Sequence, residues 1–280
     1  MCSPQLYLEL GTVGRKNHDL GAPLSPRTVT YVHTIIRRAL QMAYEWDLTS
    51  RNVADRARPP RLRAHEKRHE MRTWTAEQVA VFLGSVRGDR LYSLWAVLSS
   101  TGLRRGEALG LPWEAVDLST GRLSVVRCLA DVIDADGDRP VWTDPKTARG
   151  RRSISLDPVT TATLRGHRVA QAAERLASGA GYVDHGLVFC ERDGRPLHPN
   201  RLTRTFHRRV RDAGLPDIRL HDLRHTWATL ALHAGVHPKV VQERLGHSSV
   251  SITLDIYSHV SAAMETDAAN RVAALFMPSG

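Results

Sequence analysis

Residues 57–72, ARPPRLRAHEKRHEMR, constrain this chain more than any other stretch, because they cannot join a core. A Pro-Pro pair removes two backbone donors, and the dense charge leaves almost no apolar anchor, which is the composition of a linker. The break falls early. It sets apart a small front, 1–56, from a main domain over 73–280, with 57–72 between them. The run can be a solvated connector, a basic strap against a polyanion, or both.

The front is organised around one amphipathic pattern. Val29, Val32, Ile35, Ile36, Ala39, Leu40, Ala43 and Trp46 follow helical spacing, with Arg37, Arg38 and Glu45 between them. Ser25 and Pro26 supply an N-cap and a first-turn proline, and the chain leaves the helix through Leu48-Thr-Ser-Arg-Asn-Val. About two dozen residues precede this helix, room for one or two more helices at most.

In the main domain, Thr75 with Gln78 three residues on predicts a capped helix running to Arg87, and a second helix is expected over 91–100. AVDLSTGRLSVVRCL, RPVWTD and GRRSISL are short, β-branched and broken by Gly, Asp and Pro, and are expected to form one three-stranded antiparallel sheet. Helices are expected over 158–177, 199–213, 222–233 and 238–245, with a short strand at 187–190. The fold class is therefore mainly α with a small antiparallel β-sheet (α+β).

Charge narrows the partner. Among 280 residues, 39 Lys and Arg face 29 Asp and Glu, leaving +10 with histidine neutral, so the surface should attract a polyanion. Nucleic acid comes first. A membrane comes second, but no apolar run nears the ~20 residues a spanning helix needs. The first residues lack the apolar core of a secretory signal, which reads as a soluble, cytoplasmic protein. Cys2, Cys128 and Cys190 are odd in number and far apart, so reduced thiols are expected rather than a disulfide framework or a cysteine metal site.

Basic side chains recur at element ends through the main domain: Arg104, Lys146, His221, Arg224 and His247. Each has an ordinary reading alone. Arg104 can pair with Glu107, Lys146 can be a solvated residue of the turn Asp144-Pro-Lys-Thr, and His247 can be a turn histidine. His221 and Arg224, three apart at an expected helix start, share a face suited to an anion. His221 and His225 are alternatively a metal pair, although Asp222 stands where a HExxH site has glutamate and no third ligand is evident. Tyr257 alone reads as a core tyrosine with its hydroxyl at the surface.

Taken together, four segments in order and spacing resemble the tyrosine recombinases of the phage-integrase family. TGLRRGEALGLPWEAVDL resembles that family's first arginine box, PKTARGRRSISL its hairpin lysine segment and LHDLRHTWATL its His-x-x-Arg box. LGHSSVSITLDIYSHV resembles its closing segment, where a histidine and the tyrosine lie ten residues apart. The resemblance runs from about Thr73 to His259, and residues 24–54 resemble the last long helix of the family's core-binding domain.

The resemblance implies a catalytic domain behind a short, incomplete helical core-binding domain. It implies Tyr257 as nucleophile, Arg104 and Arg224 gripping the phosphate with His247, His221 as proton acceptor, Lys146 as acid to the leaving oxygen, and Glu107 in support. It implies no cofactor and no metal. The implied partner is double-stranded DNA at attachment sites, contacted also by Arg37, Arg38, Arg61, Arg63, Lys67 and Arg68. The free protein is expected to be largely monomeric and to form a homotetramer on synapsed DNA. Residues 267–277 are expected to make an amphipathic helix docking on a neighbouring protomer, and DNA-bending or excision proteins are possible accessories. A nucleoid-associated role for a phage or bacterial mobile element follows. A helical DNA-binding regulator, an inactive truncated integrase, a type IB topoisomerase and a zinc hydrolase on His221 and His225 stand as alternatives.

Overall fold

Ser25 and Pro26 open the front helix as their chemistry allows. The Ser25 hydroxyl accepts from the Thr28 amide at 3.2 Å, and Pro26 occupies the first turn, where a missing N–H is no loss. The structure is a computed structural model that describes residues 4–13, 23–60, 72–134, 137–144 and 150–246. The chain divides into two units, Met1–Glu70 and Met71–Gly280.

The first unit holds α1 (Pro4–Val13), α2 (Pro26–Glu45) and a 3-10 turn, Val53–Arg56. The Tyr7 hydroxyl meets His33 Nδ1 at 2.6 Å, linking α1 to α2. Asn52 caps the 3-10 turn by accepting from Ala54 N, and its Nδ2 donates to the Arg37 carbonyl on α2 at 3.0 Å. Tyr7, Val29 and Ala54 are buried, whereas Tyr31, Ile35 and Trp46 are exposed. The apolar stripe of α2 is thus only partly covered within the described residues.

The second unit is built around α4 (Tyr92–Thr101), which is buried along nearly its whole length. It packs against α6 (Pro158–Ser178) and α8 (Asp222–His233). Before it, α3 (Ala76–Ser85) begins at the expected capping box, with Thr75 and Gln78 each accepting from the other's backbone. Trp74, Phe82, Trp95 and Phe206 meet beside α4, with ring centroids 5.2–6.0 Å apart. Burying one Phe-sized side chain is worth about 1.5–3 kcal/mol, so this cluster anchors α3, α4 and α7 (Pro199–Asp212) together. The Trp74 indole donates to the Pro216 carbonyl at 2.9 Å, and its amide donates to Thr226 on α8.

The expected single sheet is corrected to two. β1 (Val116–Asp117), β2 (Arg122–Val125) and β5 (Arg152–Ser155) form an antiparallel sheet in the order β1-β2-β5. β3 (Cys128–Asp134) and β4 (Gly137–Thr143), the latter carrying most of RPVWTD, pair among the described residues only with each other, from Cys128↔Thr143 to Asp134↔Gly137. Arg127 marks the parting. Its guanidinium donates to the carbonyls of Gly110 and His185 and lies 4.6 Å over the Trp142 ring, which turns the chain out of β2 and into the hairpin.

The expected strand at 187–190 is also corrected, since only isolated bridges Pro112↔Leu187 and Cys190↔Pro196 occur there. Side chains take the place of a neighbouring strand: Gln171 donates to the Leu187 carbonyl at 3.0 Å, and His167 Nε2 lies 2.7 Å from that of Val188. The later helices keep their expected places. α6 and α7 end within one residue of expectation, while α8 and α9 (Pro238–Leu245) match it. The segment 267–277 and most of the linker lie outside the described residues.

Candidate active site

Thr101 ends α4, and Gly102 turns the chain at φ +66°, a left-handed conformation that favours glycine. A Cβ there would lie 2.6 Å from Leu245 Cδ2, so any larger residue would also have to displace the buried Leu245 side chain of α9. Leu103 is buried, and Arg104 becomes the N-cap of the short helix α5 (Arg105–Leu109). Glu107, three residues later at the N3 position, reaches back: its Oε2 accepts from the Arg104 amide at 2.8 Å and its Oε1 from Arg104 Nη1 at 2.7 Å.

Glu107 is 3% exposed, so its charge needs partners. Arg152 supplies a fork, donating Nη1 to Oε1 at 3.0 Å and Nη2 to Oε2 at 2.9 Å. Burial alone would raise the Glu107 carboxyl, but the hydrogen bonds and charge of Arg152, with the amide and charge of Arg104, hold it below the usual carboxylate range.

The carbonyl end of α9 closes the site. Arg152 Nε donates to the Arg244 carbonyl at 2.6 Å, Arg224 Nη2 to that of Leu245, and Arg104 Nη2 to that of Gly246 at 3.3 Å. Three consecutive carbonyls that a helix end leaves unpaired are thereby satisfied by three guanidinium groups. Arg224 also donates Nη1 to the Gly102 carbonyl at 2.8 Å. Burial, then the charge of Arg104, push Arg224 down to about 9, opposed by Glu107, so it remains charged at neutral pH. Two guanidinium groups therefore bind one carboxylate with a third, that of Arg224, close by, and the excess positive charge suits an anion. Arg104, whose side chain is 41% exposed, is the member left open to receive one.

His221 stands at the N-cap of α8 without capping it through its side chain. Part of the residue is exposed, yet crowding by protein comes first among the causes that lower its imidazole to about 4, ahead of the His225 and Arg224 charges. The His221 and His225 rings stand edge to face, centroids 5.1 Å apart. His225 is lowered mainly by burial, and its Nδ1 has no hydrogen-bond partner among the described residues. Asp222 is engaged elsewhere, held by Arg219 through its amide and both ends of its guanidinium. Among the described residues, no group of three or more His, Cys, Asp or Glu is placed to hold a metal ion.

Of the residues expected from sequence, Arg104, Glu107, Arg224 and His221 fall in this one region of the second unit. Lys146, His247 and Tyr257 lie outside the described residues, as do Arg61, Arg63, Lys67 and Arg68. In the first unit Arg37 pairs with Asp55 at 2.6 Å, while Arg38 is exposed. Arg152 is the residue the sequence reading passed over. Its signal is phase: Arg152 falls two residues before the buried Ile154, on the inward face of β5, where a cation needs a partner.

The model of the phage integrase family matches residues 75–264. This chain belongs to that family. A XerC-like tyrosine recombinase from Caldanaerobacter subterraneus subsp. tengcongensis is 35% identical over 216 residues, covering 74% of this chain and 55% of that relative. The ICEBs1 integrase of Bacillus subtilis is 27% identical over 260 residues, covering 92% of this chain and 68% of that one. The chain thus spans a little over half the length of the first relative. Among solved structures, the Tn1549 transposon integrase in complex with transposon right-end DNA matches with a TM-score of 0.74 at 22% identity, over 96% of this chain and 84% of that one. That likeness establishes the integrase fold of mostly helices with small antiparallel sheets. No helix among the described residues is long and apolar enough to cross a membrane.

Proposed function

We propose that this integrase-family chain is a site-specific recombinase that cuts and rejoins DNA through a 3′-phosphotyrosine, integrating or excising a mobile element. The observation that carries the reading is the buried Glu107 held by Arg104 and Arg152, with Arg224 alongside and Arg104 open to an anion. A DNA-binding regulator needs surface charge, not guanidinium groups oriented on a buried carboxylate. The relatives named as recombinases and integrases support the same reading.

In this mechanism the Tyr257 oxygen attacks phosphorus, forming the phosphotyrosine bond as the bond to the 5′ oxygen breaks. Negative charge grows on the non-bridging oxygens, where Arg104, Arg224 and His247 stabilise it. A phenol ionises near pH ~10, so it needs a proton acceptor, and His221 is neutral in the folded protein and able to serve. Lys146 protonates the leaving 5′ oxygen. The 5′ hydroxyl of a partner strand then reverses the step, so the energy of the broken bond is conserved without a nucleotide cofactor. Glu107 orients Arg104 and stays away from the phosphate, which it would repel.

The roles of Lys146, His247 and Tyr257 come from the sequence resemblance. Double-stranded DNA at attachment sites is the substrate, with Arg38 and the linker residues Arg61, Arg63, Lys67 and Arg68 adding phosphate contacts. A tetramer on synapsed DNA, a monomer in its absence, and a cytoplasmic, nucleoid-associated location belong to the same reading. The test is covalent capture on a nicked suicide duplex in excess EDTA. The unaltered chain should give a protein-DNA adduct, and Tyr257→Phe should give none while binding the duplex normally. An adduct in the Phe variant, or one that requires added metal, would overturn the mechanism.

A further inference from the structure

Arg152 makes more contacts than neutralising Glu107 requires. Its side chain is 7% exposed, and besides the fork on Glu107 it donates Nε to the Arg244 carbonyl and Nη1 to that of Gly150. One guanidinium therefore ties the start of β5 to Glu107 on α5 and to the last turn of α9. Glu107 in turn fixes Arg104 through both backbone and side chain, and Arg104 donates to Gly246, the residue before position 247.

We propose that Arg152 is a positioning residue for the phosphate grip: it sets Glu107, and through it Arg104, against the carbonyl end of α9. The role rests on the recombinase reading above. A planar fork is needed because two parallel donors meet the carboxylate while Nε turns to a carbonyl on another element. A lysine at this position can keep the charge but cannot hold all these directions at once. Charge balance inside the site and orientation of Arg104 are thus separable by substitution.

The full chain is assayed on nicked duplexes tiled across the DNA flanking its gene, using for rates whichever duplex the unaltered protein captures covalently. Arg152→Lys should slow single-turnover adduct formation by ~10- to 100-fold, the scale expected when a reacting group is misplaced by about an ångström. Binding of the same duplex should stay within about twofold, because phosphate contacts elsewhere carry affinity. Added to Arg104→Lys, Arg152→Lys should cause no further loss, since both remove one oriented fork. A normal rate in Arg152→Lys, or losses that multiply, would overturn the role. If Arg152→Lys does not fold, the pair Arg152→Gln with Glu107→Gln removes one buried positive and one buried negative charge together and must still bind tightly and cleave slowly. Normal cleavage by that pair would also overturn it. Failure of the unaltered chain to capture any duplex overturns the recombinase reading itself, and Arg152's role with it.

Discussion

Arg224 Nη1 donates to the carbonyl oxygen of Gly102 at 2.8 Å, joining the turn after α4 to the first turn of α8. The bond holds a turn that favours glycine, with φ at +66° and Leu245 against the space a Cβ would fill. Gly102→Ala should therefore destabilise the protein by at least ~1–2 kcal/mol from the left-handed backbone alone, with the Leu245 contact adding to it. Urea unfolding measures this. An unchanged midpoint would mean that the turn relaxes to another conformation at little cost.

His221 at the N-cap of α8 and His225 on the helix give a pH dependence with a defined sign. Burial is the first cause lowering both, and His221 falls from 6.5 to about 4. As pH drops below 6.5, the unfolded chain takes up protons that folded His221 refuses until about 4. Its contribution to stability is therefore complete above pH 6.5 and is lost progressively toward pH 4. Replacing it, His221→Gln, should flatten the fall in unfolding free energy across that window. A slope identical to that of the unaltered protein would show that His221 titrates normally.

The proposed acid role of Lys146 can be separated from phosphate binding by changing the leaving group. With sulfur in place of the bridging 5′ oxygen, the departing thiolate is stable near its pKa of ~8.5 and needs no proton. Lys146→Ala should cleave the oxygen substrate slowly and the sulfur substrate at nearly the unaltered rate, while Tyr257→Phe cleaves neither. Equal defects on both substrates would move Lys146 from proton transfer to binding.

How much was legible in the sequence depended on whether the signal was local. The helix starts at Ser25, Thr75 and Asp157 each carry their own cap, so their positions could be read directly. Strand partners could not, because pairing is decided by a distant event, the hold of Arg127 on Gly110 and His185 that sends β3 away from β2. The bridges at Leu187 and Cys190 were unreadable for a related reason: Gln171 and His167 on another helix satisfy that backbone. In the site, the spacing of Arg104 and Glu107 showed a pair, but not that Glu107 is buried. That burial depends on Arg152, 45 residues on, whose only local sign is a charged side chain on the inward phase of a strand.

The last prediction concerns the surface that would meet DNA away from the chemistry. On α7, Leu202, Phe206 and Val210 are buried at helical spacing, which leaves Arg204, Arg208 and Arg211 exposed along the opposite face. None of these three arginines enters an ion pair among the described residues, whereas Arg201 pairs with Glu191 and Arg209 with Asp89. Arginines held in such pairs have less charge to offer a phosphate, so the contribution to DNA affinity should fall on the unpaired three. Each phosphate contact releases condensed counterion, giving a slope of about −0.9 in log K against log salt. Changing Arg204 and Arg208 together to glutamine should make the slope shallower by ~1.8 while leaving the melting temperature unchanged, since neither side chain packs in the core. The matched control, Arg201→Gln, should change the slope by less than half as much. Equal effects at Arg201 and at the exposed pair would mean that this face of α7 does not contact the backbone, and that its arginines act only through the net charge of the protein.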